Sequence, residues 1–283
     1  MFAPAMHPRM WSHPATRANV DALVARGAVM VGPVDGPLAS GESGMGRMAD
    51  PEAIVDAAVA TLAPRDLTGA RVLVTAGGTH EAIDPVRFVG NRSSGRMGYA
   101  VAEAARDRGA AVTLVSGPTA IAPPAGVEVE RVRSAMEMQA AVSAREGEVD
   151  VVVMAAAVAD YRPAEVAAHK IKKGAAELSI RLVANPDILA SLGASRAARR
   201  GARPVLVGFA VETGDLVALA RGKLSRKGCD LVVANRAEDG FEGETNRVVL
   251  VDAEGDEALP VMPKREVAHR ILDRVVGLLR RPE

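Results

Sequence analysis

The chain has a single cysteine, Cys229, and aromatic residues make up only 2% of it. One cysteine excludes an intramolecular disulfide framework and any metal site built from several thiolates. It lies in KGCDLVVAN, at the start of an apolar run, where an inert core thiol is expected. The shortage of aromatics leaves few stacking platforms for single-stranded nucleic acid. Lys and Arg together number 35, as do Asp and Glu, so no net field points to nucleic acid or an anionic membrane. No apolar run reaches membrane-spanning length and no signal-peptide pattern is present, so a cytoplasmic, reducing setting is expected. The histidines His7, His13, His80, His169 and His269 are scattered without metal spacing. G-x-G-x-x-G, the Walker loop G-x-x-x-x-G-K-[ST] and the nucleophile elbow G-x-S-x-G are all missing. Dinucleotide binding, P-loop chemistry and a serine nucleophile thereby lose their usual signatures.

What is present is length and alternation. The 283 residues are 48% hydrophobic, mostly Ala and Val, which suits helices packed closely on a parallel sheet. From Asp66 onward apolar runs alternate with helical segments: RVLVTA, a helix near Arg96 to Arg108, AVTLVSGP, VEVERV, and a helix near Ala135 to Glu146 opened by the Ser134–Glu137 capping box. VDVVVMAAAVADY then reads as one long central strand, ELSIRLV as a shorter one, and NPDILASLGASRAARR as a helix capped by Asn185 with Pro186 at its first position. RPVLVGFAVET, a helix from Asp215 to Lys227, CDLVVANR, NRVVLVD and a closing helix from Lys264 complete the series. Such alternation predicts an α/β fold with a Rossmann-like, doubly wound, mostly parallel sheet.

The first sixty residues read differently. A helix is expected over roughly Thr16 to Arg26, a short strand at AVMVG, a glycine- and proline-rich loop from Gly32 to Gly46, and a helix capped by Asp50 with Pro51 at its first position. So few elements cannot bury a core, and residues 1–63 read as the tail of a larger domain, with 64–283 as a separate one.

Polar residues gather at the carboxyl ends of the expected strands, where open α/β sheets bind ligands. Gly77 and Gly78 leave RVLVTA, Asp84, Arg87 and Asn91 follow, and Ser93, Ser94 and Gly95 lead into a helix, an arrangement suited to holding phosphate. A double glycine is also a common tight turn. Asp160 and Tyr161 end the central run, and its carboxylate suits a ribose hydroxyl, a base amino group or Mg²⁺, or else a turn cap. HKIKK, with Lys170, Lys172 and Lys173, lies in a long connection poor in large apolar residues, and is expected to be a cationic flap over phosphates rather than only a solvated turn. Asn185-Pro186-Asp187, Phe209, Glu212, Thr213, Asn235 and Arg236 occupy the same end. Lys223 and Lys227, at i and i+4, either serve that site or form an exposed helix edge.

Two resemblances give these residues roles. PAM at Pro4–Met6, MW..PAT at Met10–Thr16, GP..G.LA at Gly32–Ala39 and G..G.GRM at Gly41–Met48 resemble the C-terminal third of flavin-dependent phosphopantothenoylcysteine decarboxylases. That family has Asn where this chain has His7, and a proton-donating Cys where it has Ser40. A serine hydroxyl is too weak an acid to replace the thiol. The resemblance implies a remnant without decarboxylase activity, binding FMN only if the remaining half of that domain accompanies it.

GGT.E.IDPVRF..N.SSG.MG, AAAVADYRP, KIKK, NPDIL, VGFA.ET, KG.DL.VAN and N.V.L resemble, over about Leu67 to Val276, the phosphopantothenate–cysteine ligase domain of bacterial coenzyme A biosynthesis. The resemblance implies activation of 4'-phosphopantothenate by CTP with Mg²⁺, release of pyrophosphate, and displacement of CMP by the amine of L-cysteine. It also implies a homodimer. Asn91 would then hold the acyl-cytidylate, Arg87 the phosphopantothenate side, and Lys170 a phosphate. Asp160, Phe209, Lys223, Lys227, the peptide groups of Met154, Ala155 and Ala156, and those of Asn185, Pro186, Asp187 and Ile188 would form the nucleotide pocket. At Arg96 the family usually has Lys, another cation. A fragment of a bifunctional decarboxylase/ligase and a non-catalytic nucleotide-binding regulatory subunit are the alternative readings.

Overall fold

The structure is a computed structural model that describes the chain apart from residues 175–176, 200–202, 213, 237–242 and 282–283 and the side chain at 212. It divides into two compact units, Met1–Pro64 and Arg65–Glu283.

The smaller unit holds α1 (Pro8–Trp11), α2 (Pro14–Ala25), an antiparallel pair β1 (Val34–Pro37) and β2 (Ser43–Arg47), and α3 (Pro51–Leu62). Three expectations fail here. AVMVG is not a strand: Met30 makes only an isolated bridge to Phe2. The segment expected as a loop contains a hairpin, because glycines at its pairing positions accept the irregular backbone that joins Val34 to Arg47. Asp50 precedes α3 but makes no side-chain cap; its carboxylate pairs with Arg47 instead.

In the larger unit, an eight-stranded sheet runs β15-β14-β12-β11-β8-β3-β6-β7. Its strands are β3 (Arg71–Ala76), β6 (Ala111–Ser116), β7 (Glu128–Arg131), β8 (Val151–Met154), β11 (Val205–Glu212), β12 (Leu231–Arg236), β14 (Val249–Asp252) and β15 (Asp256–Ala258). β7 through β12 are parallel, and β14 and β15 close one edge antiparallel. Successive side chains point to opposite faces of a strand, so a strand buried on both sides must be apolar throughout. Val72, Val74, Val151, Val153, Val205 and Val207 face one core, while Leu73, Val152 and Leu206 face the other.

The first face is covered by α4 (Arg96–Asp107) and α8 (Lys264–Leu279). Val267, Ala268, Ile271, Leu272, Val275 and Val276 form its helical stripe, and the small residues Gly98, Ala102 and Ala105 let α4 lie close to the strands. The second face is covered by α5 (Ala135–Ser143), α6 (Ile188–Ala198) and α7 (Leu216–Lys227), which contribute Met138, Leu192 and Ala220. Each fully buried Val or Leu contributes about 1.5–3 kcal/mol of transfer free energy. At the far end of α4, the buried Arg108 pairs with Asp66 and with Asp273 of α8.

Three further boundaries differ from expectation. The central strand stops at Met154, and Ala155 to Asp160 form a loop, held by side-chain hydrogen bonds and one isolated bridge at Ala157 rather than by a continuing ladder. From ELSIRLV only β10 (Leu182–Ala184) is a strand, and it pairs with β9 (Tyr161–Pro163), outside the main sheet. α6 is capped by Asp187, whose carboxylate accepts the Ala190 N–H, and not by Asn185; Pro186 lies before the helix. Ser134 does cap α5, and Glu137 accepts the Arg133 N–H.

Candidate active site

Chain order explains where the site forms. After β3 the chain winds outward to β6 and β7, then returns to β8 on the other side of β3. The loops leaving β3 and β8 at their carboxyl ends therefore part in opposite directions and open a crevice, the place where doubly wound sheets take ligands. Gly77 makes the turn out of β3 with φ of 78°, and a Cβ there would meet the Gly117 carbonyl oxygen at 3.0 Å. Its own carbonyl accepts the Ala157 N–H at 2.8 Å, and Gly78 bridges to Ala157.

The loop after β8 is tied down from both sides. The Thr75 hydroxyl accepts the Ala156 N–H at 3.2 Å, and the Thr79 hydroxyl accepts the Ala159 N–H at 2.9 Å. Asn91 Nδ2 donates to the Val158 carbonyl at 3.0 Å and Asn185 Nδ2 to the Ala159 carbonyl at 2.8 Å. Both threonines are fully buried, so their hydroxyls are protected from competing water. The result is a rigid lip with Asp160 exposed at its end.

A cleft of about 700 Å³ lies against this lip. It brings together Asn91, Ser93, Ser94, Gly95, Met154, Ala155, Ala156, Asp160, Asn185, Pro186, Asp187, Ile188, Phe209, Lys223 and Lys227, all expected at a nucleotide site. Gly95 is the residue before α4, so the helix N-terminus opens towards the cleft and favours anions. Lys223 Nζ donates to the Phe209 carbonyl at 2.5 Å, and Lys227 pairs with Asp187. The i, i+4 lysines thus line the cleft rather than an open helix edge. Cys229 has its thiol pushed up to about 11, first by burial and then by the Asp230 charge, which makes it a poor nucleophile.

Gly77 and Gly78 do not line the cleft; they shape it from behind. Arg87 and Lys170 are also absent from its walls. Arg87 pairs with Asp84 at 2.6 Å and donates at 3.1 Å to the carbonyl of Ile171, the residue after Lys170. Thr213 lies outside the described residues. Among the described residues no group of three or more His, Cys, Asp or Glu side chains is placed to hold a metal.

The family described as DNA/pantothenate metabolism flavoprotein C-terminal domain matches residues 67–279. The chain belongs to this family. Residues 1–63 match the flavoprotein family. The "Coenzyme A biosynthesis bifunctional protein CoaBC" of Mycobacterium tuberculosis (strain ATCC 25618 / H37Rv) is 50% identical over 99% of this chain and 70% of its own length. Its Escherichia coli (strain K12) counterpart is 44% identical over 96% of this chain and 68% of its own length. The crystal structure of the C-terminal domain of a CoaBC protein superimposes with a TM-score of 0.65 at 42% identity, covering 76% of this chain and 98% of that one. Both likenesses read from the motifs are therefore borne out.

The cleft also contains cationic and polar residues that sequence reasoning passed over. Arg92, Arg226, Asn246 and Lys264 line the cleft beside Arg96 and Asn235. Arg96 pairs with Glu244, while Lys264 donates to the Gly243 carbonyl at 2.5 Å and has its ammonium pKa lowered by burial, then by the Arg96 charge. One local signal pointed to Lys264: it opens α8 directly after Pro263, and a cation at a helix N-terminus opposes the helix dipole.

Proposed function

We propose that the chain joins 4'-phosphopantothenate to L-cysteine in coenzyme A biosynthesis, using CTP and passing through an acyl-cytidylate. The observation that carries this reading is the meeting of Asn91, Asp160, Lys223, Lys227 and the start of α4 on one cleft at the topological switch point. A carboxylate is a poor electrophile, and attaching it to a nucleotide α-phosphate makes CMP the leaving group. Assembling a triphosphate and a second anion demands cations and a helix N-terminus, which this cleft supplies. Peptide groups on the threonine-held lip and the Asp160 carboxylate take the base and ribose. Asn91, already oriented by the lip, holds the acyl-cytidylate while the cysteine amine attacks the acyl carbon and CMP departs. The CoaBC names of the relatives support the pathway.

Mg²⁺ enters as part of the nucleotide substrate. The carboxylates on the cleft are Asp160 and the Lys227-paired Asp187, enough to touch a metal held by phosphates but not to cage one.

Arg87 and Lys170 act as the phosphopantothenate-side and phosphate-side cations from outside the cleft wall, across a subunit boundary. The exposed Phe88, Tyr161 and Leu182 lie on the adjoining ribbons β4–β5 (His80–Ala82 and Phe88–Gly90) and β9–β10, the exposed Val86, Val166 and Leu178 lie in the connections within them, and together they support a homodimer through that face. No helix among the described residues is long and apolar enough to cross a membrane; a biosynthetic role like that named for the CoaBC relatives supports a cytoplasmic location.

The smaller unit is assigned no decarboxylation. Ser40, Ala39 and Met48 line a cleft of about 390 Å³ with His7, bonded to Glu42 at 2.5 Å, and Arg47, bonded to Asp50 at 2.6 Å. Ser40, a far weaker acid than a thiol, cannot serve as the proton donor. The deciding experiment compares CTP with ATP in an amide-forming assay. Amide and pyrophosphate with CTP are expected; neither product with either nucleotide would exclude the ligase.

A further inference from the structure

Asp84 is buried at 2% exposure although it sits in a surface hairpin turn. Its two oxygens have different partners. Oδ1 accepts the N–H groups of Val86 and Arg87, both at 2.8 Å, and so closes the turn between β4 and β5. Oδ2 accepts from the Arg87 guanidinium at 2.6 Å and from the Ile171 N–H at 3.1 Å. The Ile171 carbonyl, in turn, accepts from the same guanidinium at 3.1 Å. Both peptide groups of Ile171 are therefore held by one ion pair. Earlier in the same connection, the Ala167 N–H is taken by the Ile83 carbonyl at 2.9 Å.

These bonds fall on either side of Lys170, in the connection between β9 and β10, whose described residues belong to no strand. Lys170 itself is exposed, and no hydrogen bond or ion pair among the described contacts fixes its side chain; what is fixed is the peptide that follows it. A side chain on a long connection reaches a defined place only if its backbone is anchored nearby.

We propose that Asp84 is a positioning residue for Lys170: its Oδ2, together with Arg87, latches Ile171 and sets where the lysine is presented. This rests on the ligase reading for the role of Lys170, but the latch itself does not. A carboxylate is required because Oδ2 must accept from a cation and a peptide N–H together. An amide at the same position serves one oxygen's partners only. Burial disfavours the ionised carboxyl, yet the N–H groups of Val86, Ile171 and Arg87 and the Arg87 charge hold it down at about 2, so the latch stays closed throughout the neutral range.

The test uses the full chain carrying Asp84→Asn, Lys170→Gln or both. With Oδ1 kept on the turn, Asp84→Asn turns its NH₂ against the Ile171 N–H and the guanidinium and opens the latch. Hydrogen–deuterium exchange should speed up about tenfold in peptides covering 164–174, with α8 unchanged as the control for folding. Pyrophosphate release with CTP should fall about tenfold, and the double variant should be no slower than Lys170→Gln alone, since the two residues act as a unit. Unchanged exchange at 164–174 overturns the latch. Additive losses in the double variant overturn the positioning of Lys170 by Asp84. If the unsubstituted chain releases no pyrophosphate, the ligase reading falls, and the exchange measurement alone still decides whether the latch exists.

Discussion

Asn185 donates from Nδ2 to the carbonyl oxygen of Ala159 across 2.8 Å, while its Oδ1 accepts from Arg162 at 3.0 Å. The residue that sequence pattern marked as a helix cap is thus a clamp on the lip of the cleft. Asn185→Asp replaces the donor with a second acceptor facing Ala159. CTP binding measured by calorimetry should weaken about tenfold, in keeping with one lost buried hydrogen bond. An unchanged Kd would show that the lip holds without it.

Asn91→Asp removes the Nδ2 donor to Val158 and adds negative charge where an acyl-cytidylate is to sit. Formation of phosphopantothenoylcysteine should drop by about 100-fold, the scale seen when a positioned donor is lost. Pyrophosphate release should be less affected. Amide formation at the unsubstituted rate would remove Asn91 from the mechanism.

Gly193 of α6 lies against the backbone of α7, where an added Cβ would run into the Lys227 carbonyl. Gly193→Ala forces the helices apart and carries Lys227 away from Asp187. A loss of about 1–3 kcal/mol in stability is expected from overpacking, accompanied by weaker nucleotide binding. Thermal melting and CTP titration together check this, and a variant as stable as the parent would mean that α7 shifts freely.

Leu206 is fully buried in β11, in the middle of the sheet, facing the second core. Leu206→Ala should destabilise the larger unit by about 2–5 kcal/mol through lost transfer free energy and the cavity left behind. Denaturant unfolding monitored by circular dichroism gives the number.

The half-buried His269 has its pKa lowered, first by desolvation and then by Arg108 and Arg265, against the weaker pull of Asp107 and Asp273. A folded-state pKa below the unfolded 6.5 means that the unfolded chain binds the proton more readily. The stability this group contributes is present above 6.5 and is lost as pH falls through the depressed folded value. Melting temperature should therefore decline below about pH 6.5, and His269→Gln should flatten that decline. An identical pH profile in the variant would place the acid sensitivity elsewhere.

Local and repetitive features were legible in the sequence. Apolar runs set β3, β8, β11 and β12 because strands buried on both faces admit little else, and Ser134 capped α5 because its hydroxyl needs only the N–H three residues on. The membership of the cleft was largely legible too, since residues at the carboxyl ends of parallel strands converge whatever the details of the turns. Tertiary structure decided what depends on partners distant in sequence. Asn185 left its capping role for Ala159, Lys264 entered the cleft from the last helix, and Asp84 captured Ile171 on another connection. The stretch from Gly77 to Gly95 could be singled out by its composition as a polar turn between strand and helix, but its division of labour could not. A hydrogen bond between residues that are 87 positions apart leaves no local periodicity, and only the closing of the chain around the switch point put Asp84 and Ile171 within reach.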